Sequence, residues 1–200
     1  GKSLIIYVLV RWYLENFNDN VLIVVPTTSL VEQMYNDFKD YGYDVETNCH
    51  RIYSGKDKNT DKRIIISTWQ SIYRLQHSWF EQFGAVFGDE CHGFKSKSLT
   101  LIMNKCKEAE YRFGTTGTLD GALTHELVLQ GLFGKVYRVT STRALQDDDT
   151  LAKLNIQRIV LEYEDTIRKN FGKQNYQDEI QHIVAYQRRN RFIRNLTLDL

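Results

Sequence analysis

Proline occurs once in the 200 residues, at Pro26, and cysteine three times, at Cys49, Cys91 and Cys106. Three widely spaced cysteines, odd in number and without a CxxC pair, exclude a disulfide framework and a structural zinc site. They imply an intracellular, reducing compartment, so the expected location is cytoplasmic. The longest apolar run, Leu4 to Val10, stops at Arg11 and is far short of the roughly 20 residues a membrane helix requires. Signal peptide, lipidation motif, repeats and low-complexity segments are all missing. Excess charge is missing too: 26 Lys and Arg against 25 Asp and Glu leave a net charge of +1. The overall balance therefore does not announce a nucleic-acid binder. Only local clusters do, "HRIYSGKDKNTDKR" (50–63) and "RRNRFIR" (188–194), and either would also serve as a plain solvated face.

What is present is a 42% hydrophobic chain, long enough for one large domain or two small ones. Residues 3–17 are apolar nearly all round and predict a helix buried against a sheet. The β-branched run 20–25, ended by Pro26, predicts a buried parallel strand. A helix over 30–42 follows, capped by Thr28 or Ser29 and terminated by Gly42. Strands over 63–68, 85–90 and 111–116 are each followed by a helical segment, at 69–76, 96–107 and 122–132, and 135–140 reads as another strand. From about 148 the texture turns polar, with a strand over 156–163 and a helix over 177–195.

This alternation predicts an α/β fold with a mainly parallel sheet and helices on both faces. Ligands bind such sheets outside the carboxyl ends of the strands. Pro26-Thr27, Ser67-Thr68, Asp89-Glu90 and Thr115-Thr116 all fall at such ends, so four polar clusters converge on one edge.

One of these clusters and the first three residues of the chain carry chemistry. Gly1-Lys2-Ser3 stands immediately before a helix and matches the last three residues of a P-loop, in which the lysine reaches the β and γ phosphates and the serine hydroxyl holds Mg²⁺. Asp89 and Glu90 end an apolar strand, where desolvated carboxylates need a cation or hydrogen bonds. With Mg·ATP at the edge, Asp89 helps hold the metal and Glu90 orients and activates the attacking water. Asp89, Glu90 and Lys2 are thus the candidate catalytic groups, Gly1, Lys2 and Ser3 the nucleotide cradle, and Ser3 and Asp89 the metal ligands. The cofactors are ATP and Mg²⁺.

The segment "DECH" (89–92) resembles motif II of the superfamily 2 helicases, DExH group, and the other motifs fall in that family's order. "VVPTTSLVEQ" (24–33) resembles motif Ia and "ISTWQS" (66–71) the T-x-Q-S motif. The resemblance assigns nucleic-acid contact to Pro26, Thr27, Thr28, Ser67, Thr68 and Gln70. "TGT" (Thr116, Gly117, Thr118) resembles motif III, which couples hydrolysis to nucleic-acid contact. Leu119 stands where many relatives have proline. His92 is assigned to the ATP site, linking motifs II and III, and Cys91 to packing.

The resemblance implies a RecA-like first motor domain over 1–147, without its leading strand and P-loop turn, and a linker with the start of a second such domain over 148–200. The implied activity is an ATP-dependent DNA or RNA–DNA helicase that remodels branched recombination and replication intermediates and R-loops. Its implied partners are single-stranded and branched DNA, RNA–DNA hybrid and the second RecA-like domain of the same chain, with no membrane. Two alternatives stay open at this level: the motor portion of a restriction or nuclease complex, and a nucleic-acid-binding module that does not hydrolyse ATP. Of the 50–63 cluster, Lys56, Lys58, Lys62 and Arg63 either line a DNA path or keep a loop soluble.

Overall fold

The computed structural model describes residues 1–117, 123–150, 152, 157–167 and 175–199. They divide into two compact units, Gly1–Arg138 and Val139–Leu200, with the division nine positions before the one the polar texture predicted at 147.

The first unit is built on five parallel strands in the order β2-β3-β1-β4-β5: β1 (Asn20–Val25), β2 (Cys49–Ile52), β3 (Ile64–Thr68), β4 (Phe83–Asp89) and β5 (Tyr111–Thr115). Central β1 pairs with β3 on one side, Val25 opposite Thr68, and with β4 on the other, Val24 opposite Gly88. Val21 to Val25 are all at most 1% exposed, because a parallel strand is covered on both faces and must be apolar throughout. Alternate side chains separate the two cores. Val21, Ile23 and Val25 pack with α1 (Lys2–Asn16) and α2 (Thr28–Asp40). Leu22 and Val24 pack with Ile72, Phe80, Ile102, Met103 and Leu129. These come from α4 (Trp69–Ile72), α5 (His77–Phe80), α6 (Lys97–Lys105) and α7 (Leu123–Phe133); a short α3 (Val45–Asn48) precedes β2.

Several boundaries differ from the sequence expectation. In α1 only Ile6, Val10 and Tyr13 are buried, while Leu4, Ile5, Val8 and Trp12 are 41–55% exposed, so the helix packs on one face rather than all round. The cap of α2 is Thr27, whose hydroxyl accepts from Leu30 N–H at 3.3 Å, not Thr28 or Ser29. Gly42 does end that helix. At φ +82° it lets its own N–H reach Lys39 C=O (2.9 Å) and the Tyr43 N–H reach Phe38 C=O (3.1 Å), the paired bonds of a glycine C-terminal turn. The segment 69–76 gives only one helical turn, α4. Residues 135–140 and 157–163 carry no strand, and β2 was not anticipated.

The second unit holds α8 (Thr142–Asp147), α9 (Tyr176–Ala185) and α10 (Gln187–Asp199). The single helix expected over 177–195 is interrupted at Tyr186, which has extended ψ (101°). Asn175 caps α9 by accepting from Asp178 N–H at 3.0 Å. No described helix is long and apolar enough to cross a membrane.

Candidate nucleotide site and nucleic-acid groove

Asp89 is the last residue of β4 and is 7% exposed. Burying a carboxylate is costly unless it is paired, and two partners meet it. Thr115, at the matching position of neighbouring β5, donates its hydroxyl to Asp89 Oδ1 at 2.8 Å, and Lys2 Nζ lies 3.7 Å from the same oxygen. Lys2 also donates to Glu90 Oε1. One ammonium from the first turn of α1 therefore bridges two carboxylates 87 and 88 positions away, which offsets half of the pair's charge where β4 ends.

Glu90 turns the chain out of the strand in a left-handed conformation, φ 49° and ψ 48°. For a residue with a Cβ that conformation costs roughly 1–2 kcal/mol. The turn aims the side chain toward Lys2 and starts a single 3-10 turn, Cys91–Lys95. His92 Nδ1 stands 3.4 Å from Glu90 Oε2 and 2.9 Å from Thr116 Oγ1, so one imidazole touches both the acid and the loop after β5. Cys91 is buried and its thiol is pushed up to about 11, chiefly by burial and then by the neighbouring Asp89 and Glu90 charges.

Gly1, Lys2 and Ser3 share a pocket of about 280 Å³ with Asp89, Glu90 and the α2 residues Gln33 and Asp37. Ser3 Oγ is 3.0 Å from the hydroxyl of Tyr41 at the end of α2. Gln33, Asp37 and Tyr41 were not anticipated, since nothing short of the α1–α2 packing places that helix against Ser3. The donor set suits magnesium. A serine hydroxyl and a carboxylate are the hard oxygen ligands it takes one or two of, keeping water in its other positions, and the ammonium on Asp89 already marks the spot as one that demands positive charge. Among the described residues no cluster of three or more His, Cys, Asp or Glu forms an all-protein metal cage.

A second concavity, about 670 Å³, opens at the carboxyl ends of β1, β2 and β3. Pro26, Thr27, Thr28, Thr68 and Gln70 all line it. Gln70 Nε2 donates to Pro26 C=O at 3.3 Å and ties the two loops together. Thr68 and Ser71 share a hydrogen bond of 2.8 Å. Ser67 is a correction: it is 0% exposed, and its hydroxyl is taken up by the carbonyls of Ile52 (3.1 Å) and Thr68 (3.0 Å). Neighbouring strand residues face opposite sides, so Thr68 can face the groove only while Ser67 turns inward.

The basic cluster also divides. Lys56 and Lys58 line the groove. Lys62 instead donates to the carbonyls of Glu46 and Cys49, and Arg63 to those of Leu14, Phe17 and Asp19. Of the motif III residues, Thr116 and Gly117 follow β5, and Thr118 lies outside the described residues.

A parallel sheet that gathers a helix-borne lysine and serine, a tandem acid pair and a hydroxyl-lined groove along one edge defines a RecA-like helicase domain of superfamily 2. The chain belongs to the family described as the Type III restriction enzyme res subunit, whose profile matches residues 1–121. A particular relative is the ATP-dependent DNA helicase UvsW of Enterobacteria phage T4, 34% identical over an alignment of 204 positions that covers all of this chain and 41% of that protein. The chain thus spans less than half the length of this relative. Two crystal structures of T4 UvsW superpose with a TM-score of 0.61, one at 37% identity over 68% of this chain and 50% of that one, the other at 34% over 98% and 39%. The Hef helicase domain of Pyrococcus furiosus shares the fold, with TM-score 0.57 and 19% identity over 67% of this chain and 31% of that one.

Proposed function

We propose that this chain is the first motor domain of an ATP-dependent DNA helicase, followed after Arg138 by a linker and the opening of a second RecA-like domain. Its DNA substrates would be branched recombination and replication intermediates and R-loops. The observation that carries the reading is the meeting of Lys2, Asp89 and Glu90 at the strand tips, on the sheet edge that also carries the hydroxyl-lined groove.

Bound Mg·ATP supplies the phosphoanhydride and the divalent charge that screens it. Gly1 and the first backbone N–H groups of α1 bind phosphate at a helix N-terminus. Lys2 would exchange the acids for the β and γ phosphates, and Ser3 and Asp89 would hold the metal. Glu90, freed of its ammonium, accepts the proton of the attacking water. His92 touches both Glu90 and Thr116, so a displacement of the motif III loop is felt at the acid. Across the groove, the N-terminus of α2, with Thr27 and Thr28, and the Thr68 hydroxyl bind the phosphates of a single strand, and Gln70 braces the edge. Contacts of this kind position a backbone without reading its bases.

The test is Glu90→Gln in the full-length protein. It keeps shape and removes the proton acceptor, so nucleotide affinity should persist while DNA-stimulated hydrolysis falls by two orders of magnitude or more, about what a general base contributes. Normal hydrolysis by this variant would sink the assignment. The family description favours a second reading, the motor of a restriction complex. It is distinguished by whether the whole protein cuts the DNA it moves on.

A further inference from the structure

Lys56 and Lys58 sit on a loop, and a loose loop must be ordered before its charges can hold a phosphate, which costs conformational entropy. This loop is fastened beforehand. The Lys56 N–H closes a turn on Tyr53 C=O at 2.9 Å, with Gly55 at φ +80°. Asp57 Oδ1 accepts from Asn59 N–H at 3.0 Å. Two successive carbonyls are then taken from outside the loop: His50 Nε2 donates to Asp57 C=O at 2.8 Å, and Trp79 Nε1 donates to Lys58 C=O at 3.0 Å.

A carbonyl only accepts, so His50 must carry its proton on Nε2, which both the charged ring and one neutral tautomer do. Trp79 is the firmer anchor. It stands on α5 and meets the fully buried Phe80 and Phe83 edge to face, at 4.9 and 5.0 Å. Trp79 does not line the groove, yet its N–H fixes the backbone of a residue that does.

Resting on the reading of the groove as a single-strand site, we infer that Trp79 is a positioning residue for nucleic-acid phosphates. It acts through the carbonyl of Lys58 to hold Lys56 and Lys58 in line with Thr27 and Thr68. The wall it sets is electrostatic and indifferent to base identity, so it strengthens grip on any single strand.

The experiment measures binding of a labelled oligothymidylate to the full-length protein over a range of KCl concentrations, for wild type, Lys58→Ala, Trp79→Phe, Trp79→Leu, the Lys58→Ala/Trp79→Phe double variant and the Thr27→Ala/Thr68→Ala pair. Lys58→Ala should lower the slope of log affinity against log salt by about 0.7, the loss of one single-strand phosphate contact. Neither Phe nor Leu can donate at position 79. Both should lower the slope in the same sense and weaken binding about 5-fold at low salt, the equivalent of one net hydrogen bond of about 1 kcal/mol. The double variant should be no weaker than the weaker single.

Wild-type slope in the folded Trp79 variants, whatever their melting temperature, assigns Trp79 to packing alone and overturns the inference. So does a double variant whose losses multiply. The threonine pair reports separately: if it binds as wild type does, the groove reading itself fails.

Discussion

Gly88→Ala probes the joint between the acid-bearing strand and the helix that closes over it. Gly88 on β4 lies opposite Gly114 on β5, and the missing side chains leave a notch that Phe133 of α7 and Phe94 of the 3-10 turn fill, their rings 5.2 Å apart. A Cβ at 88 would stand 2.9 Å from Phe94 Cζ and 3.0 Å from Phe133 Cζ, against an ordinary carbon–carbon separation of about 3.5–4.0 Å. Both rings must retreat by roughly 0.5–1 Å. Overpacking of this kind costs about 1–3 kcal/mol, and alanine returns about 0.4–1 kcal/mol by restricting the unfolded chain. The expected net loss is centred near about 1 kcal/mol and reaches at most about 2.6 kcal/mol, read as a lowered urea midpoint. Phe94 follows Glu90 by four residues, so its retreat also moves the acid, and DNA-stimulated ATPase should fall further than the stability loss explains. Phe133→Leu removes one of the two obstacles. Combined with Gly88→Ala it should cost clearly less than the sum of the single variants. Strict additivity, or a Gly88→Ala protein with unchanged midpoint and ATPase, would refute the packing argument.

Lys2→Ala should abolish tight nucleotide binding, measured with a fluorescent ATP analogue. Its cost in stability should be small on the Glu90 side, where both groups are about one-third exposed, and larger on the Asp89 side, where a buried carboxylate keeps the Thr115 hydroxyl but loses its cation. Ser67→Ala should leave single-strand affinity unchanged while costing about 1 kcal/mol of stability, because its hydroxyl bonds two carbonyls inside the sheet; Thr68→Ala, which breaks a bond to Ser71, should weaken single-strand affinity as well, and titrations with oligothymidylate compare them. All three thiols are held up by burial, Cys91 to about 11 and Cys49 and Cys106 to about 12. They should resist alkylation at pH 8 until the protein is unfolded. Because the folded state keeps these thiols protonated, their contribution to stability is full below the unfolded value of about 8.5 and is lost as pH rises from there toward 11–12. Glu32 is depressed by the Tyr53 hydroxyl and then by Arg51. Its contribution is therefore present above the ordinary carboxylate range and is lost as pH falls through its lowered value, an acid-side loss that Glu32→Gln should remove from a pH–stability profile.

β1, β3 and β4 were legible because buried parallel strands are continuous apolar runs, and half-buried β5 because Thr115-Thr116 marks its tip. β2 lies at the other edge of the sheet, with Cys49 and Ile52 inward and His50 and Arg51 half-buried, and it escaped because it reads as part of a basic run with no polar pair to mark its end. The segments 135–140 and 156–163 read as strands from their apolar, β-branched content, yet 135–140 and the described residues 157–163 carry none. Such content supplies a face to bury, and a strand also needs a neighbour to bond with. The chemistry showed a similar division. Lysine, serine and acids were visible as types at fixed spacing. That Ser67 turns inward, that Lys62 and Arg63 are consumed by carbonyls, and that Tyr41 meets Ser3 are consequences of packing that no local pattern carries.

The parallel arrangement of the sheet also fixes the order in which this domain becomes safe during synthesis. No two of its strands are joined by a hairpin, so every ladder waits for a distant partner, and non-local pairing is intrinsically slow. β1, whose residues Val21 to Val25 end fully covered, is made before either of its neighbours. At the usual 5–20 residues per second, β4 is completed about 3–13 s after β1. For that interval a flat apolar strand has one edge unpaired or both, and Lys2 has no acid to meet. A nascent chain halted between Thr68 and Asp89 would present a sticky half-sheet without a nucleotide site, which makes β4 the point in translation where chaperone dependence should end.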